Sequence, residues 1–159
     1  WTGSSSTLQY LIGVSKILKQ SQIPIRVICD TKPIWNISSE FVPWSNENQT
    51  LGLLGCSIGL APLPDNDWTR CKCAFKIIQY MAAGLPVVSF AVGANKEIFD
   101  QYGCQGVCAK TEKEFLDGIV WLQNDSDERR RMGIENRRIA EQFFDHKVLA
   151  KILYEALGV

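Results

Sequence analysis

The stretch CAFKIIQYMAAGLPVVSF, residues 73–90, decides how the rest of the chain is read. Its first part places apolar residues at helical spacing. Gly84 then supplies a C-terminal stop and Pro86 opens a short, continuously apolar strand. A helix followed at once by such a strand is part of a βαβ unit, and implies a parallel sheet covered on both faces. The charges around it are the odd feature. Arg70, Lys72 and Lys76 gather at the helix start, where the helix dipole favours anions. Either these side chains simply point into water, or something negative sits between them and the helix N-terminus.

Working outward, strands and helices keep alternating. Ser5, Ser6 or Thr7 can cap a helix over 7–21. Strands are predicted at 23–30 (IPIRVICD), 37–44 (ISSEFVPW, more polar) and 57–63 (SIGLAPL), with a short helix near 47–54. The helix of the opening stretch is predicted over 73–83 and its strand over 86–90. A helical turn at 97–102, a strand at 106–109 and helices at 111–124, 126–143 and 145–157 complete the chain. The predicted class is α/β, a Rossmann-like doubly wound parallel sheet flanked by helices, in one domain over 1–159. Ligands of such sheets bind beyond the carboxyl ends of the strands. Here that rule selects loops 30–33, 44–46, 64–73 and 91–97.

Composition narrows the function. The 17 basic and 17 acidic side chains cancel, which argues against a nucleic-acid partner. The longest nearly apolar run, residues 51–63, is interrupted by glycines and too short to span a bilayer. No charged-then-apolar leader opens the chain. It begins at Trp1 without Met, and WTGSSST reads as a strand end entering a helix, so a fragment with a missing upstream partner is expected. The six cysteines do not have zinc-knuckle spacing, and the sole histidine, His146, is distant. Free thiols in a reducing compartment, with no metal or cofactor, are expected. GxGxxG, P-loop and GxSxG motifs are all absent.

On a helix starting near Cys73, Phe75, Ile78 and Ala82 share one face, with Ile77 and Met81 beside it, and can pack on the sheet. Lys76, Gln79, Tyr80 and Ala83 share the other. An anion at this N-terminus would meet the N–H groups of Cys73, Ala74 and Phe75 and the ammonium groups of Lys72 and Lys76. One turn on, Gln79 can hydrogen-bond a hydroxyl-bearing group attached to that anion. A diphosphate followed by ribose has this arrangement of parts. Solvated lysines and a surface amide fit the pattern equally well.

Residues 57–99, SIGLAPLPDNDWTRCKCAFKIIQYMAAGLPVVSFAVGANKEIF, resemble the donor-binding segment of retaining glycosyltransferases of the GT-B fold, those grouped in family 4. WTGSSSTLQYL resembles the opening of that fold's C-terminal half. The resemblance implies the donor-binding half of an enzyme of bacterial polysaccharide or O-antigen assembly. It would be cytoplasmic, or peripheral at the inner membrane face. Its donor would be a nucleoside diphosphate sugar, commonly UDP-linked, and no metal is implied. Its partners would be an N-terminal acceptor domain of the same protein and a lipid-linked acceptor. Alone, this half would bind nucleotide and turn nothing over.

In the family, two glutamates eight positions apart flank the helix start, the second commonly holding the ribose hydroxyls. They fall here on Cys71 and Gln79. Gln79 can still bond a diol, whereas Cys71 replaces no carboxylate, which shifts sugar contacts towards Asp65, Asn66 or Asp67. The family's diphosphate-clamping Arg and Lys of the first loop are replaced by Gly3-Ser4-Ser5-Ser6. Arg70, Lys72 and Lys76 then supply the charge that stabilises the departing diphosphate, with Cys73 and Ala74 at the backbone.

The remaining candidates each carry a plainer reading. Trp44 lines the base or plugs the sheet edge. Trp68 walls the sugar or anchors its loop. Asn95 and Glu97 reach the donor, or Glu97 merely favours its helix start. Arg129–Arg131, Arg137 and Arg138 read as a solvated face interleaved with Glu128, Glu135 and Glu141 more readily than as a membrane patch. Phe143 and Phe144 read as core. Two rival functions stay open: a sugar-nucleotide epimerase of the same architecture, and a non-catalytic Rossmann-like module that has lost its ligand.

Overall fold

The computed structural model describes residues 1–158. Its strands are β1 Ile25–Cys29, β2 Ser39–Pro43, β3 Gly59–Ala61, β4 Val87–Phe90 and β5 Gly106–Ala109. The helices are α1 Ser5–Gly13, α2 Ser15–Ser21, α3 Asn46–Leu54, α4 Asp67–Arg70, α5 Phe75–Ala82, α6 Ala94–Tyr102, α7 Glu112–Asn124, α8 Ser126–Phe143 and α9 His146–Leu157. Every strand pairing is parallel, as expected where helical crossovers separate consecutive strands.

The strands form a two-stranded sheet, β1-β2, and a three-stranded sheet, β3-β4-β5. The segment at Trp1–Thr2 runs parallel along β1: Thr2 bridges Ile28, and Gly3 N–H donates to Ile28 O at 3.0 Å. One side chain closes the gap to the second sheet. The Tyr80 hydroxyl accepts from Thr2 N–H at 3.1 Å and donates to Leu60 O at 3.0 Å. Gly59 makes room for it, since a Cβ there would run into the Tyr80 ring. Spatial order is therefore β2, β1, Thr2, β3, β4, β5, with the order of connection reversing at the Thr2–β3 seam. In a doubly wound sheet, that reversal opens the ligand crevice.

Two apolar cores cover the two faces. On one, Leu8, Leu11, Ile17 and Leu18 of α1 and α2 meet Phe115, Ile119 and Leu122 of α7, and Phe115 stacks on Phe90 with ring centroids 4.6 Å apart. On the other, Ile77, Tyr80 and Met81 of α5 pack with Leu53, Ile98 and Ile139 from α3, α6 and α8. Each fully buried aliphatic or aromatic side chain is worth about 1.5–3 kcal/mol against exposure.

The architecture is the Rossmann-like α/β arrangement expected of one half of a GT-B fold, and several details differ from the sequence reading. The helix over 7–21 is two, broken at Val14, and its N-cap is Ser4. The expected turn at 97–102 is a full helix beginning after Gly93. The helix at 67–70 was not expected; Asn66 caps it, its Oδ1 accepting from Thr69 N–H at 3.0 Å. The faces of α5 are turned relative to the reading. Phe75 is exposed and Tyr80 fully buried, because the helix uses its Ala74–Ile77–Tyr80–Met81 stripe against the sheet. Phe143 and Phe144 sit around Tyr102, at 5.4 and 4.8 Å between centroids; Phe144 packs against the second core as read, whereas Phe143 is exposed.

On α8 four of the five arginines are tied down. Arg131 pairs with Glu128, Arg138 with Glu135 and Arg137 with Glu141, while Arg129 donates to the carbonyls of Leu122 and Gln123 at the end of α7. Among the described residues, no helix is long and apolar enough to cross a membrane.

Candidate functional site

The crevice at the seam is built by three elements. The carboxyl end of β3 leads through Ala61, Pro62 and Leu63; Thr7 and Tyr10 come from α1; Lys72, Cys73 and Ala74 come from the segment leading into α5, and Lys76 from its first turn. Trp1 forms another wall, and Asn95 reaches in from the start of α6. A second cleft of about 730 Å³ adjoins it beyond β3, β4 and β5, with Tyr10 and Leu63 lining both.

Among the helix N-termini at this end of the sheet, those of α1 and α5 differ. At α1 the protein supplies its own anion: Asp30, just past β1, accepts from Ser5 N–H at 2.6 Å and from Ser5 Oγ at 3.1 Å. The hydrogen bond from the Cys29 thiol, and secondarily these two from Ser5, lower the Asp30 pKa from its ordinary value. At α5 no side chain caps the first turn, so its leading N–H groups have no side-chain acceptor. Of these two, the uncapped end is the one beside the lysines.

Lys76 lies in that first turn, its ammonium 5.5 Å from the Trp1 ring centroid. Burial, and secondarily the nearby Lys72 charge, push its pKa below the ordinary lysine value. Lys72 stands in the preceding turn, 5.2 Å from the Trp68 ring and 5.8 Å from that of Tyr10. Both ammonium groups rest on aromatic faces, which attract cations without neutralising them. No carboxylate pairs with either lysine among the described residues. Two uncompensated cations, one of them partly desolvated, face an open helix N-terminus. The arrangement can hold a multiply charged anion.

The structure thus brings together Lys72, Cys73, Ala74, Lys76 and Asn95. Arg70 is placed differently. It ends α4, its guanidinium gripping Asp65 at 2.6 and 3.2 Å and reaching Asp67 at 3.4 Å, so its charge is already matched. Trp68 is exposed beside Lys72, and Asp67 is exposed at the start of α4. Trp44 is half-exposed past β2, its indole N–H fixed by Gln49 Oε1 at 2.6 Å. Gln79 is half-buried one turn into α5, and Glu97 is exposed in the first turn of α6; neither lines the cleft.

Sequence reasoning missed Trp1, Thr7 and Tyr10. Thr7 and Tyr10 lie three apart on one face of α1, a spacing that marked the face but not what it would meet. Gly93 draws the α6 loop in. It has φ +49° and packs so closely on the Arg70 backbone that a Cβ would collide with it.

Residues 73–139, from the cradle through most of α8, match the model of the family described as glycosyl transferases group 1. No curated protein matches the chain. The match covers less than half of the chain and supports a glycosyltransferase domain of the GT-B kind.

Proposed function

We propose that this chain is the donor-binding half of a retaining glycosyltransferase, holding a nucleoside diphosphate sugar with UDP as the expected nucleotide. One observation carries the reading: Lys72 and Lys76, without carboxylate partners, line the seam crevice beside the uncapped start of α5. The family match that begins at Cys73 supports it. In glycosyl transfer the bond from the anomeric carbon to the diphosphate oxygen breaks and negative charge grows on the diphosphate. Cations and backbone N–H groups already aimed at that charge lower the barrier without reorganising. Lys72, Lys76 and the first turn of α5 take this role, while Arg70 steadies the loop through Asp65 and acts from the rim.

Gln79, Trp44 and the exposed loop at Asp67–Trp68 are assigned to the ribose, base and sugar sides. The acceptor, a polysaccharide or lipid-linked saccharide at the inner face of the membrane, is assigned to an N-terminal domain. The resemblance of residues 57–99 supports these finer assignments. Calorimetric titration of the chain with UDP, GDP and ADP tests the reading. Binding of at least one of them, weakened by Lys76→Ala, is expected; no binding of any at millimolar concentration overturns it.

A further inference from the structure

Ser89 of β4 is wholly buried, and its single hydroxyl hydrogen is committed to backbone: Ala61 O lies 3.2 Å from Oγ and Phe90 O 3.0 Å. Oγ can therefore only accept from a third partner. That partner is Asn95, whose side-chain NH₂ lies 3.0 Å away. The network fixes which way the Asn95 amide is turned, so its carbonyl oxygen, Oδ1, is the end left over. Asn95 is 6% exposed. Its Oδ1 has no hydrogen-bond partner among the described residues, yet no fully buried side-chain N or O is left unsatisfied. The exposed remainder therefore includes Oδ1, on a residue that lines the crevice with Lys72 and Lys76. Neither lysine hydrogen-bonds it.

A carbonyl oxygen held rigidly at the wall of a cationic crevice repels phosphate oxygens and attracts a neutral donor. Reached by solvent in the free protein, this fixed acceptor is one that a ligand hydroxyl can take over from water. We infer that Asn95 is a specificity-determining residue that accepts a hydrogen bond from a hydroxyl of the donor's sugar, with Ser89 orienting it. This rests on the reading of the crevice as a nucleoside diphosphate sugar site, and adds that the site discriminates the sugar-bearing donor from the bare nucleotide. Gly93 delivers Asn95 to this position by bringing its loop against Arg70.

The test compares calorimetric affinities of the chain for UDP, UDP-glucose and UDP-N-acetylglucosamine, with GDP and GDP-mannose as a second series. The unsubstituted chain is expected to bind one nucleotide sugar more tightly than its own nucleotide. Asn95→Ala should lower the nucleotide-sugar affinity about five- to tenfold more than the nucleotide affinity, the effect of one hydrogen bond. Ser89→Ala, which frees the amide to turn, should shift the ratio in the same direction by less, with thermal unfolding reporting that both variants are folded. Nucleotide binding with no sugar advantage, or equal losses for both ligands in Asn95→Ala, overturns the assignment alone. No binding of any nucleoside diphosphate removes the reading of the crevice and this assignment with it.

Discussion

Lys76 is the residue on which the site turns. Burial holds its pKa below the ordinary lysine value, with Lys72 adding repulsion, and an anion between the two would relieve both costs. Lys76→Ala should therefore weaken UDP binding by about ten- to a hundredfold, the range for a charge-assisted hydrogen bond of roughly 1.5–3 kcal/mol. Unchanged affinity by calorimetry would show that Lys76 touches no phosphate. Two pH dependences of opposite sign follow. Between the folded-state pKa of Lys76 and the ordinary lysine value the unfolded chain binds more protons, so the ligand-free protein should gain stability as pH rises through that window. Nucleotide binding needs the charged form and should weaken over the same rise; Lys76→Arg should flatten both, read by thermal unfolding and titration. The lysines and their open helix end were legible in the sequence because charge at the wrong end of a dipole is a local feature. That Arg70 is matched by Asp65 was not legible, because it depends on how the loop folds back.

At the scale of elements, α5 shows where pattern reading stops. Its extent and its Gly84 stop were legible, but its rotation was not. An alphabet of Phe, Ile, Tyr and Met offers two apolar stripes. The choice fell to Tyr80, whose hydroxyl has backbone partners waiting across the seam, and Phe75 was left exposed. The missed α4 had a signal, Asn66 three residues ahead of Thr69, whose Oγ1 accepts from Asn66 N–H at 3.1 Å; the polar composition of its loop hid it. Gly93 links α4 to α6, and Gly93→Ala would force both a positive φ and a clash with the Arg70 backbone. The expected result is a lower melting temperature together with weaker UDP binding. A variant that melts and binds like the original would show that the two loops are not held together there.

Across the whole molecule, the sequence reading anticipated one sheet, and the structure shows two joined by a bridging segment and a side chain. Strand periodicity reports which residues are buried but not which edges meet, so the Thr2–β3 seam was invisible. Tyr80→Phe removes the hydroxyl that serves Thr2 and Leu60 and leaves a buried N–H unmet, at a cost of about 1–3 kcal/mol. For a chain of this size that is a fall of roughly 2–12 °C in melting temperature; no change would mean that the seam is held by other contacts. The last helix, α9, keeps Leu149, Ile152, Leu153 and Leu157 exposed. The crevice at the seam is where fold and chemistry meet, and its anion site is open to direct measurement. Titration of the chain, of Lys76→Ala and of the Lys72→Ala/Lys76→Ala pair with UDP, GDP and ADP should show one nucleotide bound by the original, bound weakly by the single variant and not detectably by the pair. Equal affinity across all three proteins, or no binding by the original at millimolar nucleotide, would contradict a diphosphate cradle at the start of α5.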